Sequence, residues 1–155
     1  MSLFLRTAKL ADAPAVANVY LASRATFLAY APLAHSDADI RMWIETKLIP
    51  DASVSVAEVG GEVVGFVATA IDGPLLWLDQ LYVRPDSVGL GLGSKLLEHA
   101  LAGITQPVRL YTFQANTGAR RFYERHGFKA VQFSDGQSNE EKCPDVLYER
   151  AAQPA

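Results

Sequence analysis

The stretch LWLDQLYVRPDSVGLGLGSKLL, Leu76 to Leu97, decides how the rest of the chain is read. Its first half, with Leu76, Leu78, Leu81 and Val83 beside Trp77 and Tyr82, has the apolar and aromatic content of a buried strand, and Pro85 ends the ladder because it has no N–H. Gly89, Gly91 and Gly93 follow at alternate positions. Leu92, Leu96, Leu97, Ala100, Leu101 and Ile104 then recur at the spacing of one buried helix face. The glycines therefore stand where a helix begins, with unpaired N–H groups, a positive dipole end and no side chains to hold an anion away. Taken alone, they fit a phosphate site and a plain tight turn equally well. Two familiar phosphate loops do not apply: Ser94 stands where a dinucleotide fingerprint needs glycine, and no Gly-Lys-Ser/Thr is present.

Upstream, Leu3 to Arg6 reads as a first strand, and Asp12 with Pro14 signals a helix carrying Val16, Val19, Tyr20, Ser23 and Phe27 on one face. That run is expected to stop at Ala31-Pro32. A second helix is expected from Asp37 to about Leu48, closed by Pro50 and Asp51, so the pair forms a helical hairpin. Ser53 to Val59 and Glu62 to Ile71 alternate as strands joined at Gly60-Gly61, and Asp72-Gly73-Pro74 turns the chain into the strand quoted above. Strands two to four are thus a meander. After the helix that follows the glycines, Val108 to Phe113 is a fifth strand, parallel to the fourth because a helix separates them in a right-handed crossover. A last helix, Thr117 to His126, precedes strands at Phe128–Phe133 and Val146–Arg150, joined by the polar loop Ser134 to Pro144.

With 155 residues, half of them hydrophobic, the chain suits one α/β (α+β) domain over residues 1–150, with residues 151–155 expected to fray. A formal charge of −3 speaks against a general nucleic-acid or anionic-membrane surface. A polyanionic ligand would need local cations, which Arg84, Lys95, Arg120 and Arg121 could supply. Cys143 is the single cysteine, so no internal disulfide can form, and Cys and His show no metal-ligand spacing, so no metal is expected. The chain opens with nothing like a signal peptide, and Val63 to Ile71, its longest apolar run, is too short to span a bilayer. A soluble, cytoplasmic protein is expected, with a homodimer allowed.

Asn116-Thr-Gly-Ala-Arg-Arg-Phe-Tyr-Glu-Arg-His-Gly-Phe128 folds on its own terms: Asn116 is an N-cap, Ala119, Phe122, Tyr123 and His126 share a face, and Gly127 suits a left-handed C-terminal cap. It also matches, at every fixed position, Asn-x-x-Ala-x-x-Phe-Tyr-x-x-x-Gly-Phe, a signature of the GNAT superfamily of N-acetyltransferases. The loop Val88-Gly89-Leu90-Gly91-Leu92-Gly93 resembles the acyl-CoA loop of the same superfamily, Arg/Gln-x-x-Gly-x-Gly/Ala, with Val88 departing at the first position. Together with the strand order, the resemblance covers nearly the whole chain. It implies a mixed, mostly antiparallel sheet of six to seven strands, with strands four and five parallel and splayed, flanked by about four helices.

What the resemblance implies for chemistry is specific. Acetyl-CoA is the co-substrate, its pantetheine arm lying along strand four on the backbone of Leu81, Tyr82 and Val83. Its pyrophosphate rests on the loop from Val88 through Gly89, Leu90, Gly91, Leu92 and Gly93 to Ser94. Asn116, Ala119, Phe122 and Tyr123 form the opposite wall. Tyr123 is the candidate acid for the departing thiolate. An amine must lose a proton before its nitrogen can attack, and Asp79, the one acid inside the central strand, is the candidate base, with bound water as the other option. Phe27, Tyr30 and Trp77 are candidate acceptor contacts. His99 and His126 read as surface groups, and nothing around Cys143 points to an activated thiolate. Two functions stay open: an enzyme acetylating a primary amine by direct attack in a ternary complex, and a non-catalytic acyl-CoA-binding module on the same fold. The acceptor, whether amine metabolite, amino acid, antibiotic or protein N-terminus, is expected to be chosen by the first two helices and by the loop bearing Asn139, Glu140 and Glu141.

Overall fold

Five antiparallel pairings and one parallel pairing join seven strands into a single sheet in the computed structural model, which describes residues 2–154. The strands are β1 (Leu3–Thr7), β2 (Ser53–Val59), β3 (Glu62–Asp72), β4 (Leu75–Val83), β5 (Val108–Phe113), β6 (Lys129–Ser134) and β7 (Asp145–Arg150), in the order β1-β2-β3-β4-β5-β7-β6. The helices are α1 (Ala13–Phe27), α2 (Asp37–Trp43), α3 (Leu92–Leu101) and α4 (Thr117–Arg125). Among the described residues, no helix is long and apolar enough to cross a membrane.

Both faces of the sheet are covered. Leu92, Leu96, Leu97 and Leu101 of α3 pack with Leu76, Leu78, Val108 and Tyr148 into one core, as their helical spacing requires. Val16, Val19 and Tyr20 of α1, with Ile40, Ile44 and Leu48, meet Val54, Val56 and Phe66 in the other. α3 is the crossover between the parallel strands, and it places the glycine loop at the far end of β4.

The structure corrects several boundaries. α1 stops at Phe27, four residues before Ala31. α2 does not stop before Pro50: it widens into a π segment, Ile44–Leu48, and ends after a last turn at Asp51 that carries Pro50. Phe128 is not in β6 but buried at 1% exposure beneath Tyr123, and β6 begins at Lys129. The tail is tied at one point, where the Gln153 N–H donates to the Thr105 carbonyl at 2.8 Å; Ala155 lies outside the described residues.

Leu96 is fully buried where α3 crosses the sheet, its Cδ1 seated over Gly65 of β3. Leu96→Ala is expected to cost about 2–5 kcal/mol of unfolding free energy, through lost burial plus a cavity that the two-sided sheet cannot collapse into. Urea denaturation reads this as a lower midpoint at unchanged slope.

Candidate active site

β4 and β5 pair at only two positions, Leu76 with Val108 and Trp77 with Arg109, and then part. The cause lies in β4. Ala68 of β3 pairs with Gln80 and Thr69 with Leu78, so Asp79 is an extra residue, a β-bulge, which bends its strand and raises the local twist. Two hydrogen bonds fix what the bulge does to the backbone. The Leu76 N–H donates to the Pro107 carbonyl, on the β5 side, whereas the Arg84 N–H donates to the Val64 carbonyl, on the β3 side. Because peptide groups alternate sides along a strand, counting back from Arg84 turns Tyr82 toward β3 and Leu81 and Val83 toward the gap. Counting forward from Leu76 gives the opposite parity, and the bulge absorbs the difference. Leu81 and Val83 thus present N–H and C=O groups to a gap with no strand in it.

Side chains follow the same switch. Leu76 and Leu78 pack beneath α3, and past the bulge it is Leu81 and Val83 that pack there, while Tyr82 joins the core under α1 and α2. The apolar positions 76, 78, 81 and 83 already change parity in the sequence, and that was the available signal for the bulge.

The gap holds a cavity of about 110 Å³, lined on its far wall by Asn116, Ala119 and Tyr123 of the α4 segment. A larger cavity of about 870 Å³ lies between α1, α2 and the β6–β7 loop. The two share Asp79, Gln80, Tyr82, Tyr111, Thr112 and Phe113 and so meet at the mouth of the splay.

Tyr123 is 9% exposed, braced edge-on by Phe122 and Phe128, and burial pushes its phenol pKa well above the ordinary value. Among the described residues, the polar side-chain atoms sealed away without a partner are Arg24 Nε and Arg150 Nε; the Tyr123 hydroxyl is not one of them, and its free valence opens into the gap. Asp79 lines both cavities and is exposed as a residue, and the partial loss of hydration at its carboxyl raises the pKa above the ordinary value with no partner group contributing. Asn116 caps α4, its Oδ1 accepting from the Ala119 N–H at 3.1 Å, which leaves the amide NH₂ for the gap.

At the glycine loop, Gly91 is the N-cap of α3 in the left-handed region at φ 77°, and a Cβ built there meets nothing within 4 Å. No side chain caps the helix, and the first helical bond, from Lys95 N–H to Gly91 carbonyl, leaves the amides of Leu92, Gly93 and Ser94 free. The cradle fits an anion, and the gap fits an extended chain leading to it. Gly93 serves a different purpose: Phe122 packs against its α-carbon, with the ring 3.5 Å from where a Cβ would lie, which docks α4 onto α3. Val88 and Leu90 are exposed beside the cradle, and Leu92 is core.

Other sequence candidates are placed differently. Arg84 is bound to Asp86 at 2.6 Å and Glu62 at 3.5 Å, and Arg120 donates to the Tyr148 hydroxyl at 3.0 Å, which leaves Lys95 and Arg121 as the solvent-facing cations of the four. Phe27 is exposed and lines neither cavity. Tyr30 stands edge-on to Phe113, and Trp77 stacks on Tyr111 at 5.6 Å; both back cavity residues and line neither cavity themselves. Sequence reasoning missed Arg24. It is 6% exposed, donates to the Ala31 carbonyl at 3.1 Å and the Tyr82 hydroxyl at 3.4 Å, and pairs with Glu141 at 3.3 Å. Its signal was a charge four residues beyond Tyr20, on the buried side of α1.

Residues 19–128 match the model of the acetyltransferase (GNAT) family. An uncharacterized N-acetyltransferase of Archaeoglobus fulgidus is 32% identical over 114 residues, which cover 66% of this chain and 77% of that one. The peptidyl-lysine N-acetyltransferase YjaB of Salmonella typhimurium is 35% identical over 94 residues, 58% of this chain and 59% of its own length. PaiA N-acetyltransferase of Thermoplasma acidophilum, solved in complex with coenzyme A, superposes with a TM-score of 0.75 at 23% identity over 97% of this chain and 99% of that one. With the splayed strands, the bulge and the capless helix in place, the chain belongs to the GNAT acetyltransferase family.

Proposed function

We propose that the protein moves an acetyl group from acetyl-CoA to a primary amine by direct attack within a ternary complex. The observation that carries this reading is the meeting of the two cavities at Asp79, with the Tyr123 hydroxyl in the smaller one. Acetyl-CoA supplies the acetyl thioester. Leu81 and Val83 hold its pantetheine arm by backbone hydrogen bonds, in the manner of an added strand, and Tyr82 keeps that segment anchored to the core. The amides from Gly89 to Ser94 hold the pyrophosphate, flanked by Val88 and Leu90, while the Asn116 amide and Ala119 close the other side. Phe122 acts by docking this wall onto α3. The coenzyme A bound by the Thermoplasma protein of the same fold supports coenzyme A as the ligand, and the peptidyl-lysine specificity of the Salmonella relative supports an amine acceptor.

Each titratable group has one task. Asp79 accepts the proton that the acceptor ammonium must lose, and a pKa raised by desolvation makes it a better base than an ordinary carboxylate. Tyr123 gives its proton to the departing thiolate sulfur; burial keeps the phenol protonated until then. Tyr30 and Trp77 shape the acceptor side by backing Phe113 and Tyr111. A cytoplasmic location, where acetyl-CoA is available, belongs to the same reading.

Acetyl-CoA at a hundred times its dissociation constant should stabilise the fold by about 2.7 kcal/mol, read as a rise in melting temperature. Ser94→Glu is expected to keep the unliganded melting temperature, since an acid in the first turn suits the helix dipole, and to lose the acetyl-CoA shift, since its carboxylate occupies the cradle. An undiminished shift would assign the loop to turning alone. Tyr123→Phe should leave affinity and melting temperature nearly unchanged and lower turnover by about 10², the low end for general acid catalysis because a thiolate leaves readily. Full turnover at every pH, with chemistry limiting, would sink that assignment.

Asp79→Asn separates catalysis from stability. A carboxyl whose folded-state pKa is raised favours folding while protonated, and that contribution is lost as pH rises through the folded value. The variant should therefore be more stable than the parent at pH 7 and lose the advantage as pH falls toward the unfolded carboxylate pKa, about 3.9. Turnover should fall, and the acidic limb of the kcat/KM profile should disappear.

A further inference from the structure

Resting on the acetyl-transfer reading, we propose that the acceptor is a small polycationic amine, whose second ammonium group is held by a distal subsite formed by Tyr20, Trp43, Asp39 and Glu140. Tyr20 carries the argument. It is 8% exposed, it lines the larger cavity, and its hydroxyl has no protein partner, yet it is not among the polar atoms sealed from solvent. A phenol that is nine-tenths buried, with its pKa pushed up to about 12 by that burial, has a hydrogen-bonding valence aimed into the cavity that nothing in the protein fills.

The surroundings select a cation. Trp43 stands edge-on to Tyr20, with centroids 5.9 Å apart, so two aromatic walls meet at one corner. Trp43 directly precedes the π segment Ile44–Leu48, a local widening of a kind that recurs at functional sites. Of the five carboxylates lining the cavity, Asp145 is engaged by Ser134 and Asn139, and Glu141 neutralises Arg24, whose guanidinium lies 5.7 Å from the centre of the Tyr20 ring. Asp39, Asp79 and Glu140 remain. Asp79 is at the junction and serves the reacting amine. Asp39 and Glu140 line the cavity away from that junction, and the His35 contact to Glu140 at 3.3 Å neutralises it only when the imidazole is protonated. An acceptor bearing a carboxylate would meet uncompensated negative charge there.

The roof favours a small molecule over a folded partner. The β6–β7 loop is tied to the α1–α2 segment by Arg24 with Glu141, by His35 with Glu140, and by the Cys143 thiol on the Tyr30 carbonyl at 3.6 Å. These ties hold the loop over the α1–α2 segment beside the distal subsite and narrow the approach to it. A flexible diamine can enter beneath them.

Three acceptors of matched length test this: 1,4-diaminobutane, n-butylamine and 4-aminobutyrate, compared by initial rates of thiol release from acetyl-CoA. The diamine should exceed butylamine in kcat/KM by about tenfold, the order of one ammonium held by aromatic and carboxylate groups, and aminobutyrate should fall below both. In Trp43→Leu and in the Asp39→Asn/Glu140→Gln double variant, the diamine-to-butylamine ratio should collapse toward one, chiefly through KM. Equal use of the two amines, or preference for aminobutyrate, overturns the proposal. If none of the three is acetylated, the reading of transfer to small amines fails, and calorimetry with the coenzyme A-loaded protein decides the subsite separately: binding of diaminobutane or spermidine that the double variant loses upholds it, and no binding overturns it.

Discussion

One extra residue in β4 sets the terms for everything else. A regular strand between β3 and β5 would have satisfied both neighbours along its length and left no opening. The bulge at Asp79 shifts the alternation by one, so β4 keeps its pairing to β3 through Val83 while its pairing to β5 ends at Trp77. Buried backbone groups are seldom left without partners, because each orphan costs on the order of 1–3 kcal/mol. A gap edged by such groups is therefore a slot with a chemical demand, and an extended ligand is the simplest thing that meets it. The bulge also explains why Asp79 can be both unpartnered and partly desolvated: it sits where the ladder has no place for it.

The helices convert that local defect into a site. α3 begins where β4 ends, so the free amides of its first turn stand in line with the slot. α4 is set against α3 by Phe122 on Gly93, and this brings Asn116 and Tyr123 to the slot's other wall. The Phe122 ring lies 3.5 Å from where a Cβ on residue 93 would stand, an ordinary van der Waals contact, so the two helices meet at close range across this position. Gly93 thus belongs to the loop motif for packing, whereas Gly91 belongs to it for its left-handed backbone.

Much of this was legible in the residues. The seven strands, the helix faces and the parallel β4–β5 step follow from periodicity and turn chemistry, which are local, and both motifs fall where strand, loop and helix were expected. Three things were hidden. The bulge showed only as a change of parity among leucines, and alternation is usually taken as continuous. The π segment carried helix α2 past its proline. Arg24 looked like one more basic residue on a helix, because its partners, Tyr82 and Glu141, lie 58 and 117 residues away. Long-range pairing of this kind shows locally only as a charge on the buried side of α1, and so the wall of the larger cavity was less legible than the gap beside β4. Phe27 was chosen for its aromaticity in the right segment, but the helix ends at that residue and turns it outward.

The same asymmetry holds in the energetics. The gap and the cradle are edged by backbone amides and a packed helix pair, whose geometry is set by the fold rather than by exposed side chains such as Val88. The larger cavity sets strand residues of β4 and β5 against side chains of α1, α2 and the β6–β7 loop, and its outer wall is held together by a mostly buried ion pair. Such a pair contributes little net stability, since desolvating both ions roughly cancels their attraction, but breaking one partner leaves an uncompensated charge. Arg24 and Glu141 are better understood as a clamp that fixes the distance between α1 and the β6–β7 loop than as a source of folding energy. The clamp also reaches the slot, because Arg24 donates to the Tyr82 hydroxyl at 3.4 Å and Tyr82 lines both cavities, so a substitution that breaks the clamp is felt in β4 between Leu81 and Val83.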